Sequence, residues 1–449
     1  MSELPANWTW SYDGWVVLAG VLCATAASIP GNFLVLRRMS LLGDAVSHAV
    51  LPGLAAAFWI THSRTGPSVF AGAIVTGLLT AMLTQWIRDL GKVDEGASIG
   101  VVFTTLFAAG LVLMSQAAPS VDLDPNCVLY GLLEASPLDT LTLAGLEIPR
   151  VVMTLGTVLM LNVMFVTVFF KELLISSFDP GLATTEGYSA RLMHYLLMTL
   201  VAVTAVASFE AAGNILFVAM LIVPPATAVL LTDRLSRMIL ISAALAAAAA
   251  ISGHIAAITV PTSFGFRSSS TAGMMTVCSG LMFLITAAIS PSNGLIPAWL
   301  RRQRLGLKIL SEDVIALMYR QEERGNGRPE SLSVLSATLL SSGFQTWIAL
   351  QRQRFRGWVS AENSGYRLTK AGRQAAAAIV RSHRLWESYL VQEGVDAGLI
   401  HRQAEKLEHF TGRSMRDRLQ VEGAASDRDP HGSVIPDEET GPQQSDGER

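Results

Sequence analysis

Charge is what this sequence has least of. Asp, Glu, Lys and Arg together make up 15% of the chain, and the mean hydropathy is +0.41. A water-soluble domain carries about 25% charged residues, so the composition excludes that class for most of the chain and implies several membrane spans. Cysteine is scarce too. Cys23, Cys127 and Cys278 lie far apart and form no C-x-x-C pair. That excludes a disulfide framework and a cysteine-based metal site, and each thiol reads as buried in or beside an apolar segment. No Gly-Lys-Ser/Thr phosphate loop is present, so an ATP-driven activity needs a partner to hydrolyse the nucleotide. Met1 to Asp13 lack the positive n-region of a secretory signal, and no cleaved peptide is expected. A net charge of -3 says little about partners.

The charge that exists is unevenly placed. Residues 301–449 hold two-thirds of the Lys and Arg and more than half of the Asp and Glu. The first two-thirds therefore reads as membrane-embedded and the last third as water-exposed. A bilayer core takes about 20 apolar residues per helix. Such runs fall near 14–36, 41–62, 68–87, 97–115, 151–170, 192–211, 213–232, 235–258 and 273–290. About nine spans are expected, with 14–62 and 192–232 as places where short connections and the breaks Pro30-Gly31, Pro52-Gly53 and Pro224-Pro225 allow interrupted helices. Placing Arg37 and Arg38 inside the cell puts Arg88, Lys92, Lys171, Arg191, Arg234, Arg237 and Arg301-Arg302-Gln303-Arg304 inside as well, leaving only Arg64, Arg150 and Arg267 outside. The last third is then cytoplasmic. The outer loop 116–150 carries Asp122, Asp124, Glu134 and Asp139, an acidic vestibule suited to gathering cations, or a plain solvated loop.

Within this apolar half, Arg37 to Gly53 (RRMSLLGDAVSHAVLPG) holds Asp44 and His48 at i and i+4. On a helix those two side chains share a face. Ionisable groups at membrane depth usually line a cavity and serve a function, and a carboxylate with an imidazole suits Mn, Fe or Zn. The alternative is a helix cap at Asp44 and a local hydrogen bond at His48. A second motif, FDPGLATTEGYSA, falls on the cytoplasmic side, where Asp179 is placed to cap a short helix starting at Pro180. Ala183 and Gly187 give that helix a small-residue face on which another protein could dock, or the loop is a mere connector. His62, His194 and His254 read as packing or locally bonded histidines, and Glu210 as a possible gate residue.

These two motifs, with GNILFVAMLIVPPATA at Gly213–Ala228, resemble the membrane subunit of zinc/manganese/iron ABC importers over roughly 14–290. The resemblance implies a type II ABC importer permease in the bacterial inner membrane. It implies a homodimer, or a heterodimer with a second permease, surrounded by lipid. It also implies a separate cytoplasmic ATPase and an extracytoplasmic metal-binding protein as partners. Asp179, Pro180, Ala183 and Gly187 then belong to the coupling helix. Asp44 and His48 match positions proposed to meet the metal in transit. The chain itself is expected to be a transporter subunit and not an enzyme.

After Pro291-Ser292-Asn293-Gly294 the pattern changes. Residues 311–320 read as an amphipathic helix capped by Ser311, with Glu312 and Asp313 in its first turn. Helical patterns near 331–341 and 344–356 are compatible with helix-turn-helix, and 357–369 with a hairpin wing turned at Glu362-Asn363-Ser364-Gly365. A helix from Lys370 to Val391 and another over 398–410 then carry His383, Glu387, His401, Glu405, Glu408 and His409, with acid–imidazole pairs at i, i+4. Two such faces can enclose one or two ions with N/O ligation, although exposed i, i+4 charge pairs would explain any one pair.

LTKAGR at 368–373, RSHRLWE at 381–387, AEKLEH at 404–409 and DPHG at 429–432 resemble the diphtheria-toxin-repressor family of Mn/Fe-responsive regulators. That resemblance implies that His383, Glu387, His401, Glu405, Glu408 and His409, with Asp313, bind an activating metal. The manganese members carry a glutamate where this chain has Ala316. Segment 344–356 matches the family's DNA-recognition helix poorly: Gln345, Gln351, Arg352, Gln353 and Arg354 could contact phosphates, but Phe344, Trp347, Ile348 and Leu350 make it unusually apolar and argue against nucleic acid as a partner. The expected organisation is an all-α polytopic permease at 1–300, a degenerate winged helix at 301–370, a helical metal-binding and dimerisation domain at 371–435 and a disordered tail at 436–449. A divalent ion (Mn, Fe or Zn) is then both substrate and regulatory ligand. The competing expectation is a membrane-tethered, metal-dependent transcription regulator.

Overall fold

The computed structural model describes residues 8–61, 67–117, 133–143, 146–265, 269–291, 294–325, 328–362, 364–422 and 428–437. His62, Arg64, Asp122, Asp124, Cys127, Arg267 and the tail beyond residue 437 lie outside them, as do the side chains of Asp44 and Glu210. The chain forms two compact units, Met1–Pro297 and Ala298–Arg449.

The helices of the first unit are α1 (Trp10–Leu36), α2 (Ser40–Ala49), α3 (Leu51–Thr61), α4 (Pro67–Gly91), α5 (Glu95–Ala117), α6 (Arg150–Val168), α7 (Phe170–Phe178), α8 (Pro180–Thr185), α9 (Ala190–Leu231), α10 (Leu235–Ser263) and α11 (Thr271–Ile289). Eight apolar stretches among them are long enough to cross a membrane. The expected ninth run, 41–62, is instead two short helices, α2 and α3, divided at Val50. Pro52 explains the break, because its ring cannot donate into a continuing helix. Helix α9 counts as two of the eight, since Gly213 (φ 80, ψ 171) interrupts it. The outer loop ends in a 3₁₀ turn, Leu133–Leu138, and an antiparallel hairpin of β1 (Thr140–Leu143) and β2 (Leu146–Pro149).

Helix α1 is the hub and packs against α9, α10 and α6. Ala19, Ala24, Ala26 and Ala27 are buried along it, and small residues let membrane helices approach closely. Gly31 shows the limit: a Cβ there would lie 1.9 Å from the Leu221 carbonyl oxygen. Amides then tie the helices across the dry interior. Asn32 Nδ2 donates to Ser242 Oγ at 2.7 Å, and Asn162 Nδ2 to the Ala26 carbonyl at 2.8 Å and to Thr204 Oγ1 at 3.0 Å. Val101, Val112, Met160, Met164, Leu284 and Ile285 stay exposed on the outside, as side chains facing acyl chains would.

The second unit takes in most of α12 (Leu295–Glu323), then α13 (Leu332–Thr338), α14 (Gly343–Phe355), β3 (Val359–Glu362), β4 (Gly365–Leu368), α15 (Lys370–Gln392), α16 (Ala397–Glu408) and α17 (Arg413–Glu422). Its first core gathers Val314, Ile315, Met318, Leu335, Leu350, Val359 and Leu368 beneath the β3–β4 hairpin. Ser331, Ser342, Thr369 and Asp396 each accept a backbone N–H at a helix start. Ser311 does not cap a helix as expected. Gly306 does not break the chain between 301–304 and 311–320, so α12 runs through, and the Ser311 hydroxyl turns back to the Leu307 carbonyl.

Candidate functional site

The membrane candidate is built on α2. Asp44 and His48 both lie on this helix, one turn apart. His48 Nε2 stands 2.9 Å from Asn214 Nδ2, beside the break of α9. The rings of Phe103 and Phe107 on α5 meet the imidazole with centroids at 5.4 and 5.6 Å. A divalent ion could use the imidazole nitrogen here, inside a bundle of apolar helices. His254, expected to be a packing or locally bonded histidine, is buried with Nε2 3.2 Å from Asp13 Oδ1 and Nδ1 3.3 Å from Thr271 Oγ1. It clamps the start of α1 to α10.

On the loop between α7 and α9, Asp179 Oδ1 accepts from the Leu182 amide at 2.9 Å, and Pro180 opens α8. The small-residue face is not there. Gly187 lies past the end of α8 with φ 88, and Ala183 is fully buried. A helix of six residues ends before Gly187 is reached. The outward positions belong to Leu182, which is half exposed, and its polar neighbours.

In the second unit α15, α16 and α12 bring ionisable groups together. His383, Glu387 and His401 form one group, and Asp313, Glu408 and His409 a second; within each, one donor atom per residue lies within 4.8 Å of the others. In the first, Glu387 Oε1 stands 3.1 Å from His383 Nε2 and 2.8 Å from His401 Nδ1. In the second, His409 Nε2 lies 3.2 Å from Asp313 Oδ1 and 3.5 Å from Glu408 Oε1, while Nδ1 is held by Glu312 Oε2 at 2.9 Å. That last contact orients the ring and leaves Nε2 for the ligand side. Glu408 joins the groups, its Oε2 lying 2.6 Å from His383 Nδ1. The two atoms are buried and close enough to share a proton as an ion pair. Acids and imidazoles that converge in this way, bridged by shared protons, present the N/O donors that a divalent cation could take in place of those protons.

Electrostatics agree. Burial works against the charged forms throughout, but neighbouring groups outweigh it. Hydrogen bonds from His383 and His401 pull Glu387 down to about 2. The Glu387 hydrogen bond and the Glu408 carboxylate raise His383. Asp313 and Glu312 push His409 up to about 10. With the acid held low beside imidazoles held high, the imidazole nitrogens carry protons that a divalent cation can displace.

Comparison with known proteins now bears on both units. The ABC 3 transport family model matches residues 12–290. The chain belongs to the ABC 3 transport family. The model of the iron dependent repressor metal binding and dimerisation domain matches residues 369–437 of the same chain. The chain is 43% identical over 292 residues to the manganese transport system membrane protein MntD of Bacillus subtilis, covering 65% of this chain and 96% of that one. MntC of the same organism, also named a manganese transport system membrane protein, is 29% identical over 385 residues, 84% of each chain. That alignment exceeds the length of the first unit and so continues into the second. Among solved structures, PsaBC from Streptococcus pneumoniae in complex with Fab is 30% identical, with a TM-score of 0.52, and covers 65% of this chain and 94% of that one. This is a polytopic membrane permease with a repressor-like C-terminal domain.

Within this ABC 3 permease, six of the seven expected sensing residues come together. Glu405 does not: it is exposed on α16 and joins neither group. Residues 401, 405 and 409 are spaced i, i+4, but the helix reaches its C-cap at His409, and the inward positions go to Ala404, Glu408 and His409. Glu312 was legible only as a first-turn acid, because its partner His409 lies 97 residues away. His431 adds an imidazole nitrogen 3.7 Å from Glu387 Oε1; its DPHG motif was visible, its position was not. The Asp44 carboxylate lies outside the described side chains.

Proposed function

We propose that this chain is the permease subunit of an ATP-driven importer of a divalent transition metal, manganese or iron before zinc, and that its cytoplasmic unit senses the same metal and restrains transport. The observation that carries the reading is the two histidine–carboxylate groups on a chain whose other unit is a transport permease. Carboxylates and imidazoles without thiolates favour Mn and Fe(II) over softer ions. Substrate would meet Asp44 and His48 in transit. A separate ATPase would dock against the Asp179–Thr185 helix, an extracytoplasmic protein would deliver the ion, and a second permease copy would complete the path, as the family implies.

His383, Glu387 and His401 would hold one ion, and Asp313, Glu408 and His409 a second. Bound metal would take the place of the protons that these acids and imidazoles share. The chain's own part is to orient the donors: Glu312 fixes His409, and Arg384 anchors α15 through Glu323 at 2.6 Å and Asp429 at 3.5 Å. DNA is not the partner favoured. Phe344 and Trp347 stack on the exposed side of α14, and Phe355 is almost wholly exposed, so the polar donors that phosphate contacts call for, Gln345, Arg352 and Arg354, share that surface with large apolar rings. A footprint by the full chain with metal would restore the tethered-regulator reading.

Transport into inverted or right-side-out vesicles decides the matter. Asp44→Asn and His48→Ala are expected to abolish uptake while the protein still reaches the membrane. Metal on the cytoplasmic face is expected to slow the intact chain and leave a chain ended after residue 300 unaffected. Normal uptake by the first pair overturns the path, and equal inhibition of both chains overturns the sensing role.

A further inference from the structure

The break in α9 places an amide where the transport path needs an oxygen. Gly213 has φ 80 and ψ 171, a region that only glycine occupies without strain. The helix therefore restarts at Asn214, whose side chain is turned inward and 6% exposed. Its Nδ2 lies 2.9 Å from His48 Nε2. Its Oδ1 is buried with no hydrogen-bond partner. An amide donates through nitrogen and accepts through oxygen, and rotation about its last bond exchanges the two. In either orientation one buried polar atom of Asn214 is left without a partner, which is costly for a group shielded from water.

We propose that Asn214 is a ligand of the transported cation and sets the preference of this permease for hard divalent ions. This rests on the reading of His48 as part of the path. With no cargo, Nδ2–H donates to Nε2, which requires that nitrogen to be unprotonated, the state in which it can bind a metal. When the ion arrives it takes the place of that hydrogen, and the amide turns to present Oδ1. That hydrogen bond is given up for two metal contacts, and no covalent bond is made or broken. The ion gains an oxygen donor beside the imidazole. Carbonyl oxygen suits manganese, while zinc gains more from nitrogen and sulfur. Discontinuous membrane helices place substrate sites at such breaks for the same reason, that backbone and side-chain donors there are freed from the helix ladder.

The test is uptake of radioactive manganese, alone and against zinc, in cells whose chromosomal gene carries each variant, with membrane abundance measured alongside. Asn214→Ala is expected to raise the KM for manganese about tenfold and to lower the manganese-to-zinc preference by a similar factor. Asn214→Asp, which keeps the oxygen, is expected to retain the preference. Asn214→His is expected to shift it toward zinc. A role in packing alone would change abundance and maximal rate but not the ratio between two ions. Wild-type KM and preference in Asn214→Ala, with His48→Ala inactive, overturn the inference and leave the path intact; wild-type behaviour of both variants overturns the path itself. Should Asn214→Ala fail to reach the membrane, Asn214→Asp and Asn214→Gln decide. Retention by Asp and loss by Gln, whose oxygen is displaced by one methylene, support the inference. Wild-type preference in both overturns it.

Discussion

His409 is the residue on which the second unit turns. Glu312 and Asp313 hold its two nitrogens at 2.9 and 3.2 Å, and together they outweigh burial to raise it to about 10. Its unfolded value is about 6.5. The stability it lends the metal-free unit is therefore fully present below pH 6.5 and is lost as pH rises through 10. A cation that binds Nε2 must displace this proton. Manganese affinity of the sensing unit should then tighten about tenfold per pH unit between pH 6.5 and 8.5 for each proton displaced, read from titrations of the full chain with proton release measured in two buffers. His409→Gln should flatten that dependence; an unchanged slope would remove His409 from the ligand set. A sharper contrast lies on α16. Glu408 faces both groups, so Glu408→Gln should weaken metal binding about 10–100-fold. Glu405→Gln should stay within about threefold, because an exposed side chain outside both groups adds little. Spacing alone treated these two glutamates alike. The histidine–acid periodicity was legible because i and i+4 share a helix face, but which face turns inward depends on what the helix packs against.

At the level of elements, hydrophobic runs of 20 residues were readable because the bilayer imposes the length. Interruptions were less so. A glycine within an apolar run is compatible with a continuous membrane helix, and only the packed structure shows that Gly213 leaves the helical region while Gly31 does not. Gly213→Ala should therefore cost about 1–3 kcal/mol in strain at this backbone conformation, or straighten α9 and carry Asn214 away from His48. In both cases manganese uptake should fall well below that of wild type at matched membrane abundance. Uptake equal to wild type at matched abundance would show that the break is dispensable. The cap of α8 is a second element-scale case. Sequence placed Asp179 correctly, because an aspartate before Pro at the first helical position has few other uses. It missed where that short helix ends, at Thr185, which leaves Gly187 outside. Asp179→Ala removes the bond to the Leu182 amide, worth about 1 kcal/mol, and should lower uptake several-fold with normal insertion. Gly187→Ala should impair the turn after the helix through its φ of 88, and not any docking face.

For the whole molecule, the question is whether sensing and transport share one equilibrium. Their union in one chain was legible as a change in composition near residue 300, since membrane and aqueous segments obey different solvents; how strongly they couple is not a property that composition encodes. Coupling has a definite size. A tenfold slowing of transport at saturating cytoplasmic manganese requires the ion to bind the restrained state about 1.4 kcal/mol more tightly than the active one. The same quantity must then appear from the other side. Holding the assembled transporter in one state with a non-hydrolysable nucleotide should shift the apparent metal affinity of the second unit by the factor by which metal shifts that state's population. The measurement is a manganese titration of the reconstituted complex with and without the trapped nucleotide, repeated with Glu408→Gln to remove the sensing sites while leaving the permease unit intact. A shift that disappears in Glu408→Gln ties sensing to transport through one reciprocal free energy. An affinity that ignores the nucleotide, in a transporter that metal nonetheless slows, would mean the ion acts at the path by occupying it and not through the second unit.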